Sequence, residues 1–468
     1  MRLYLSILFA VIFISSVPAS AQSSWVINTI AGIPTTPGYN GDGAAATNAN
    51  LDNPSDIAFD ASGNLYIADF INNVIRKVDT FGNIYTIAGT GFGHGAGASG
   101  GGGAYTGDNG PATAADLNGP FALAIDTVGN VFFADGYNHV VRKVTVSTGI
   151  ISLVAGTAGA AAGYRGDGGP ATNALIDNPV GLAFDRAGNL YIADDHNHVV
   201  RKVSRSDTIT TFAGNNIVGY SGDGGQATAA SLGNPIGVAT DAAGNVYITD
   251  TGNVVRKVNT LGIISTFAGT GVAGYTGDSG LATAATLASP ERVTVDGSNN
   301  VYISDLGNNV VRIVSPTGVI STFAGNNIVG YAGDGGPATA AELFAPEGVA
   351  INHLGYIYIA DRGNDIIRFI GPPDTVSNVG VAHVNNNGTS VLSVYPNPAQ
   401  SGYFTANLTS TATEKAEITI VNVFGETVKK LNTITNSPVS IFLNQAPGIY
   451  FLSAATAHGK WNKQIALQ

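Results

Sequence analysis

Gly181-Leu-Ala-Phe-Asp185, Asn189-Leu-Tyr-Ile-Ala-Asp194, His198-Val-Val-Arg-Lys-Val203 and Thr208-Ile-Thr-Thr-Phe-Ala-Gly214 follow one another with only a few residues between them. Each run is rich in Val, Ile, Phe, Tyr or Thr, and Gly, Asn and Asp stand at the breaks, which predicts four short strands joined by tight turns. Ahead of them lies Tyr164-Arg-Gly-Asp167. That phrase returns as Tyr39-Asn-Gly-Asp42, Tyr105-Thr-Gly-Asp108, Tyr220-Ser-Gly-Asp223, Tyr275-Thr-Gly-Asp278 and Tyr331-Ala-Gly-Asp334. The period of about 55 to 60 residues suits a four-stranded unit that cannot bury its own faces and must stack on its neighbours. The second strands end on Asp69, Asp135, Asp194, Asp250, Asp305 and Asp361, and the third strands carry Arg76, Arg142, Arg201, Arg256, Arg312 and Arg368.

Four-stranded antiparallel units repeated radially form a β-propeller, which closes on itself and protects its edges. The two ends of the array predict how it closes. The sixth unit stops after its third strand, Ile366-Ile-Arg-Phe-Ile370, at Gly371-Pro372-Pro373. Its missing fourth strand is found at the other end, where Trp25-Val-Ile-Asn-Thr-Ile-Ala-Gly32 matches Ile320-Ser-Thr-Phe-Ala-Gly325. The expected fold is all-β: a six-bladed propeller over 22–370 with a three-plus-one clasp, a polar linker over 371–390, and a small β-sandwich over 391–468.

Composition agrees. Of 468 residues, 44% are hydrophobic, 11% are charged and 62 are Gly, which fits many turns between many strands. A net charge of −11 opposes attraction to nucleic acid or anionic lipid. With no cysteine, disulfides and thiolate metal sites are excluded. Arg2, an apolar run from Leu3 to Val17 and Ala19-Ser-Ala21 predict a signal peptide over 1–21. The run is shorter than the ~20 residues a spanning helix needs, so no membrane span is expected in the mature chain.

The units Pro-x-Gly-Val-Ala-x-Asp, Gly-Asn-x-Tyr-Ile-Ala-Asp and Asn-x-Val-x-Arg-Lys, seen in Pro179 to Lys202, resemble NHL repeats, and the resemblance covers about Trp25 to Ile370. It implies a propeller that serves as an interaction platform. Blade four departs by one residue at Asp250-Thr-Gly-Asn253, and blade two carries a Gly- and Ala-rich insertion from Phe92 to Ala104. Val394-Tyr-Pro-Asn-Pro398, Gly402, Gly448-Ile-Tyr-Phe-Leu452 and Lys463 resemble the C-terminal sorting domain of type IX secretion cargo. That resemblance implies that 391–468 engage the type IX machinery of a Bacteroidota-type cell, with export to the surface or the medium.

The repeated loop aspartates have two readings. Asp42, Asp108, Asp167, Asp223, Asp278 and Asp334 can accept backbone N–H bonds and pair with the repeated arginines, or hold Ca²⁺ beside backbone carbonyls. Their presence in every unit favours scaffold. Function is therefore sought where the repeat breaks. Ser55-Asp56, Glu291-Arg292 and Glu347 put charge after the blade proline, where other units carry residues such as Val180-Gly181. These residues form the candidate ligand site at one side of the channel mouth. The structural alternative for them is local ion pairing of Arg292 with Glu347 or Asp56. Phe70, Ile71, Tyr137, Leu306 and Arg362 occupy variable turn positions on the same face and are expected as exposed tips for a protein or glycan partner. Gly277-Asp-Ser279-Gly280 mimics a protease nucleophile segment, but it shares the turn register of Gly222-Asp-Gly-Gly225 and has no base placed to activate it. The leading expectation is a binding scaffold for a protein or glycan. A metal-dependent lactonase- or lyase-like enzyme and a structural matrix component remain as alternatives.

Overall fold

The computed structural model describes residues 25–93, 102–159, 161–372 and, in the tail, 391–400, 402–410, 413–422, 427–445, 448–456 and 459–467. The expected signal peptide, most of the blade-two insertion and nearly all of the expected linker lie outside the described residues.

Six antiparallel sheets form the first unit, one for each repeat. Blade three shows the pattern: Pro179–Phe184, Leu190–Asp194, Val199–Val203 and Ile209–Ala213 pair in sequence order. Val, Ile and Tyr dominate the two middle strands, and all five residues of Leu190–Asp194 are buried because both faces of the sheet are covered by neighbouring blades. The fourth strand ends on Gly214, at φ +90°, where an added Cβ would lie 2.3 Å from the His198 carbonyl oxygen, so only glycine fits. The repeated Ala-Thr pair then makes a single 3₁₀ turn, such as Ala227–Ala229, whose first alanine is buried.

Blade six is composite. Pro346–Ile351, Ile357–Asp361 and Ile366–Gly371 are completed by Val26–Ala31, which pairs antiparallel with the third strand in the register Val26 to Gly371 and Ile27 to Ile370. Trp25 anchors the clasp, edge-on to Phe323 of blade five at 6.3 Å and to Tyr356 of blade six at 6.0 Å. The first strands pack in succession around an axis, and the first of blade one, Pro54–Phe59, packs on the first of blade six. This contact closes the ring.

The second unit is built from seven strands among the described residues. Its strands run in the order Thr427–Ile434, Lys415–Asn422, Gly448–Thr456, Gly459–Leu467, Val391–Gln400, Tyr403–Thr409, Val439–Phe442. Leu392, Phe404, Leu408, Ile418, Leu452 and Ile465 share one buried core drawn from both ends of that order. The chain divides into its two compact units between Val381 and Ala382.

Candidate functional site

Every blade carries a buried arginine in its third strand. The Arg76 side chain has no exposed surface; its Nη2 donates to Asp42 Oδ1 at 2.7 Å and its Nη1 lies 3.4 Å from Asp69 Oδ2. The Tyr39 ring centre is 5.2 Å from the guanidinium carbon, within cation–π range. Arg142, Arg201, Arg312 and Arg368 hold Asp108, Asp167, Asp278 and Asp334 in the same way, and Arg256 holds Asp223 at 2.5 Å. Thus the six loop aspartates considered as calcium ligands have a guanidinium as their cation. Among the described residues no group of three or more His, Asp or Glu side chains is placed to hold a metal ion.

Burial pushes the strand carboxyls Asp69 and Asp194 up to about 7, against the pull of their arginines and hydrogen bonds. In blade four the shortened turn removes the asparagine that elsewhere donates to the strand aspartate, as Asn197 does to Asp194. Asp250 keeps the backbone bond from Gly233, the counterpart of the one from Asp177 to Asp194, and accepts Gly252 N–H in place of the asparagine, while Arg256 Nη1 is left without a hydrogen-bond partner.

The ring axis is where the repeat breaks. Every first strand shifts register just after its proline, between Pro54 and Asp56 in blade one, Pro290 and Val293 in blade five, and Pro346 and Val349 in blade six. Such a bulge re-aims the side chains it carries. In blades one, five and six those side chains are charged and meet at one mouth of the channel. Arg292 lies within 3.9 Å of Asp56 and 3.2 Å of Glu347, and its Nη2 donates to the Phe121 carbonyl of blade two at 2.8 Å. It is 5% exposed, and its Nε and Nη1 have no hydrogen-bond partner. The second Glu347 oxygen accepts from Arg362 Nη1 at 2.9 Å, and Arg362 Nε donates to Asn53 at 3.3 Å. Beneath Arg292 a channel of about 270 Å³ is lined by residues including Asp56, Leu123, Leu182, Val238 and Val349.

Two carboxyls at this mouth are shifted. Burial raises Asp56 to about 6, against Arg292 and the N–H groups of Leu123 and Ile57. Burial and then the charge of Glu347 raise Glu291 to about 7, opposed by Arg292 and Arg362 and reinforced by Asp195. Both ion pairs offered as the structural alternative for Arg292 are formed. They are buried, where removing one partner is costly.

Asp56, Glu291, Arg292, Glu347, Phe70 and Tyr137 are therefore brought into one cluster, with one correction. Phe70 and Ile71, expected as exposed tips, are 2% and 5% exposed, and Leu306 and Arg362, expected likewise, are half-buried. Phe70 is covered by the Phe121 ring at 4.5 Å and by the Arg362 guanidinium at 5.5 Å, so it is a wall of the bowl rather than a surface tip. Tyr137 is half-buried, 5.4 Å from Phe121 and 6.1 Å from Phe70.

Sequence reasoning missed Phe121, Asn53 and Asp195. Phe121 passes as one more apolar residue after a blade proline. Asp195 occupies the turn position of Phe70 and Arg362, so its variation was readable in the repeat.

Residues 20–98 and 218–275 match the teneurin NHL domain family, and residues 393–468 match the secretion system C-terminal sorting domain family. The chain carries an NHL-type β-propeller and a type IX sorting tail. Mouse Teneurin-4 is 29% identical over 356 residues, covering 66% of this chain and 12% of its own length. Chicken Teneurin-1 is 27% identical over 285 residues, 54% of this chain and 10% of its own. The NHL-type propeller thus spans a small fraction of these curated relatives.

Among solved structures, a Bacteroides thetaiotaomicron protein of unknown function superposes with a TM-score of 0.54 at 18% identity, covering 74% of this chain and 76% of its own. An auxiliary nutrient binding protein from Bacteroides ovatus gives 0.53 at 16% identity, covering 75% and 77%. These two establish likeness of fold. The sorting tail assigns the NHL-type propeller to type IX secretion, and so to the cell surface or the extracellular space.

Proposed function

We propose that this secreted propeller is a binding scaffold that engages a protein or glycan partner through the bowl at its channel mouth and the loops around it. The reading rests on one observation. Charged and aromatic side chains that depart from the repeat, from blades one, two, five and six, meet at a single mouth, while the layer common to all blades is consumed by internal Arg–Asp–Tyr pairing. A ring built from one unit repeats its scaffold, so a local departure from the repeat is where selection for a ligand is expected to show. A propeller of similar fold is described as a nutrient binding protein, which is consistent with this use of the fold.

The test is an array of glycans and surface proteins probed with the mature chain and with the Tyr137→Ala and Arg362→Ala variants. Hits are expected to disappear in both variants. Hits that persist in both would move the contact away from the mouth.

A further inference from the structure

We infer that the mouth receives a primary ammonium flanked by a neutral oxygen acceptor, carried on a body with a flat or apolar face. This rests on the binding reading above and names the chemistry of that same site. Four carboxyls, Asp56, Asp195, Glu291 and Glu347, gather here around two guanidinia, Arg292 and Arg362.

Both guanidinia are already engaged. Each takes one oxygen of Glu347; Arg292 also donates to the Phe121 carbonyl, and Arg362 donates to Asn53 and lies over the Phe70 ring. The Glu291 carboxylate takes part in no hydrogen bond or ion pair among the described residues, and Asp195, whose Oδ2 accepts from Asn178 and lies 3.6 Å from His196 Nε2, keeps Oδ1 buried without a hydrogen-bond partner. The charge left uncompensated at the mouth is therefore negative, and a partly buried carboxylate gains most from a cation with N–H donors.

The second feature is Arg292 itself, more than nine-tenths buried, lining the channel with Nε and Nη1 unsatisfied. Donors beside a carboxylate select a ligand that presents an acceptor oxygen next to its ammonium. A second anion would be repelled by Glu291, Glu347 and Asp56, so that oxygen is a hydroxyl or carbonyl. The third feature is the wall of Phe121 and Tyr137, with rings 5.4 Å apart and nearly perpendicular at 76°, which offers both a face for stacking and π density for the ammonium.

An amino sugar and a peptide amino terminus share this chemistry. Calorimetry on the full mature chain at pH 8 uses glucosamine and phenylalaninamide to distinguish them, with their N-acetyl counterparts and phenylacetate as controls. At least one free amine is expected to bind, its N-acetyl form to bind at least about tenfold more weakly, and Glu291→Gln to weaken the amine by about tenfold or more while leaving the fold no less stable than before. Tyr137→Leu should weaken it as well, with an unchanged melt.

Equal binding of the acetylated form, preferred binding of phenylacetate, indifference to Glu291→Gln, or no heat from either amine at about 10 mM would overturn the inference. In those cases, array hits still lost in the Arg362→Ala variant would leave the binding reading standing. Hits indifferent to the mouth would remove both.

Discussion

Arg201 has no exposed side-chain surface, a position in which a guanidinium is tolerated only when its charge is paired. Asp167 and Asp194 meet the charge, and the Tyr164 ring covers the plane at 5.1 Å. Replacing Arg201 with Met strands both carboxylates and should lower the unfolding free energy in denaturant by about 3 to 5 kcal/mol. Arg256→Met should cost clearly less, because Arg256 makes no ion pair with Asp250, whose carboxylate is served by backbone N–H groups. Equal losses would mean that the strand aspartate contributes nothing.

Because arginine already supplies the cation beside each loop aspartate, chelation with EDTA and addition of Ca²⁺ are expected to move the propeller melt by no more than about 1 °C. A rise of several degrees with Ca²⁺ would make those aspartates ligands.

Glu291 behaves oppositely to a paired acid. Its carboxyl is raised from the ordinary 4.5 to about 7 by burial and by Glu347, with Asp195 adding and Arg292 and Arg362 opposing. Its protonated form is therefore favoured by folding, and the stability it contributes is lost as pH rises through about 7. Glu291→Gln should raise stability by about 1 to 3 kcal/mol at pH 8 and change little at pH 5. Destabilisation at both pH values would show that Glu291 has a partner.

At the scale of the element, the strands were legible because their residues and their turns agree. Val, Ile and Tyr fill Leu190–Asp194 and Val199–Val203, and Gly188 and Gly214 stop the chain where only positive φ continues it. The bulge after each blade proline was not legible, since it depends on which backbone groups pair across to the second strand. Phe70 misled for a related reason. A turn residue reads as exposed until the two neighbouring blades bring Phe121 and Arg362 over it.

The candidate residues could still be found because six copies of one unit supply an internal reference. Against that reference Asp56, Glu291, Arg292 and Glu347 are departures, and Asp195 was overlooked only because its turn is polar in any case. The clasp strand carries its own prediction. Trp25→Ala removes a 3%-exposed ring set between Phe323 and Tyr356 and should cost about 3 to 5 kcal/mol by denaturant titration. A loss below 1 kcal/mol would show that the segment lies outside the cooperative unit.

At the scale of the whole molecule, ring closure underlies both the fold and the site. Only a closed ring brings blade one beside blade six, so that Asp56, Arg292 and Glu347 can share one mouth. The absence of cysteine makes closure directly testable. Val26 and Gly371 face each other across the clasp, and opposed residues of an antiparallel pair lie about 4.5 to 5.5 Å apart at Cα, within disulfide reach. The doubly substituted Val26→Cys, Gly371→Cys chain should oxidise to a monomer joined within itself, melting several degrees higher than its reduced form. If the thiols stay free, or join only between chains, the N-terminal strand does not complete the sixth blade and the shared mouth is lost with it.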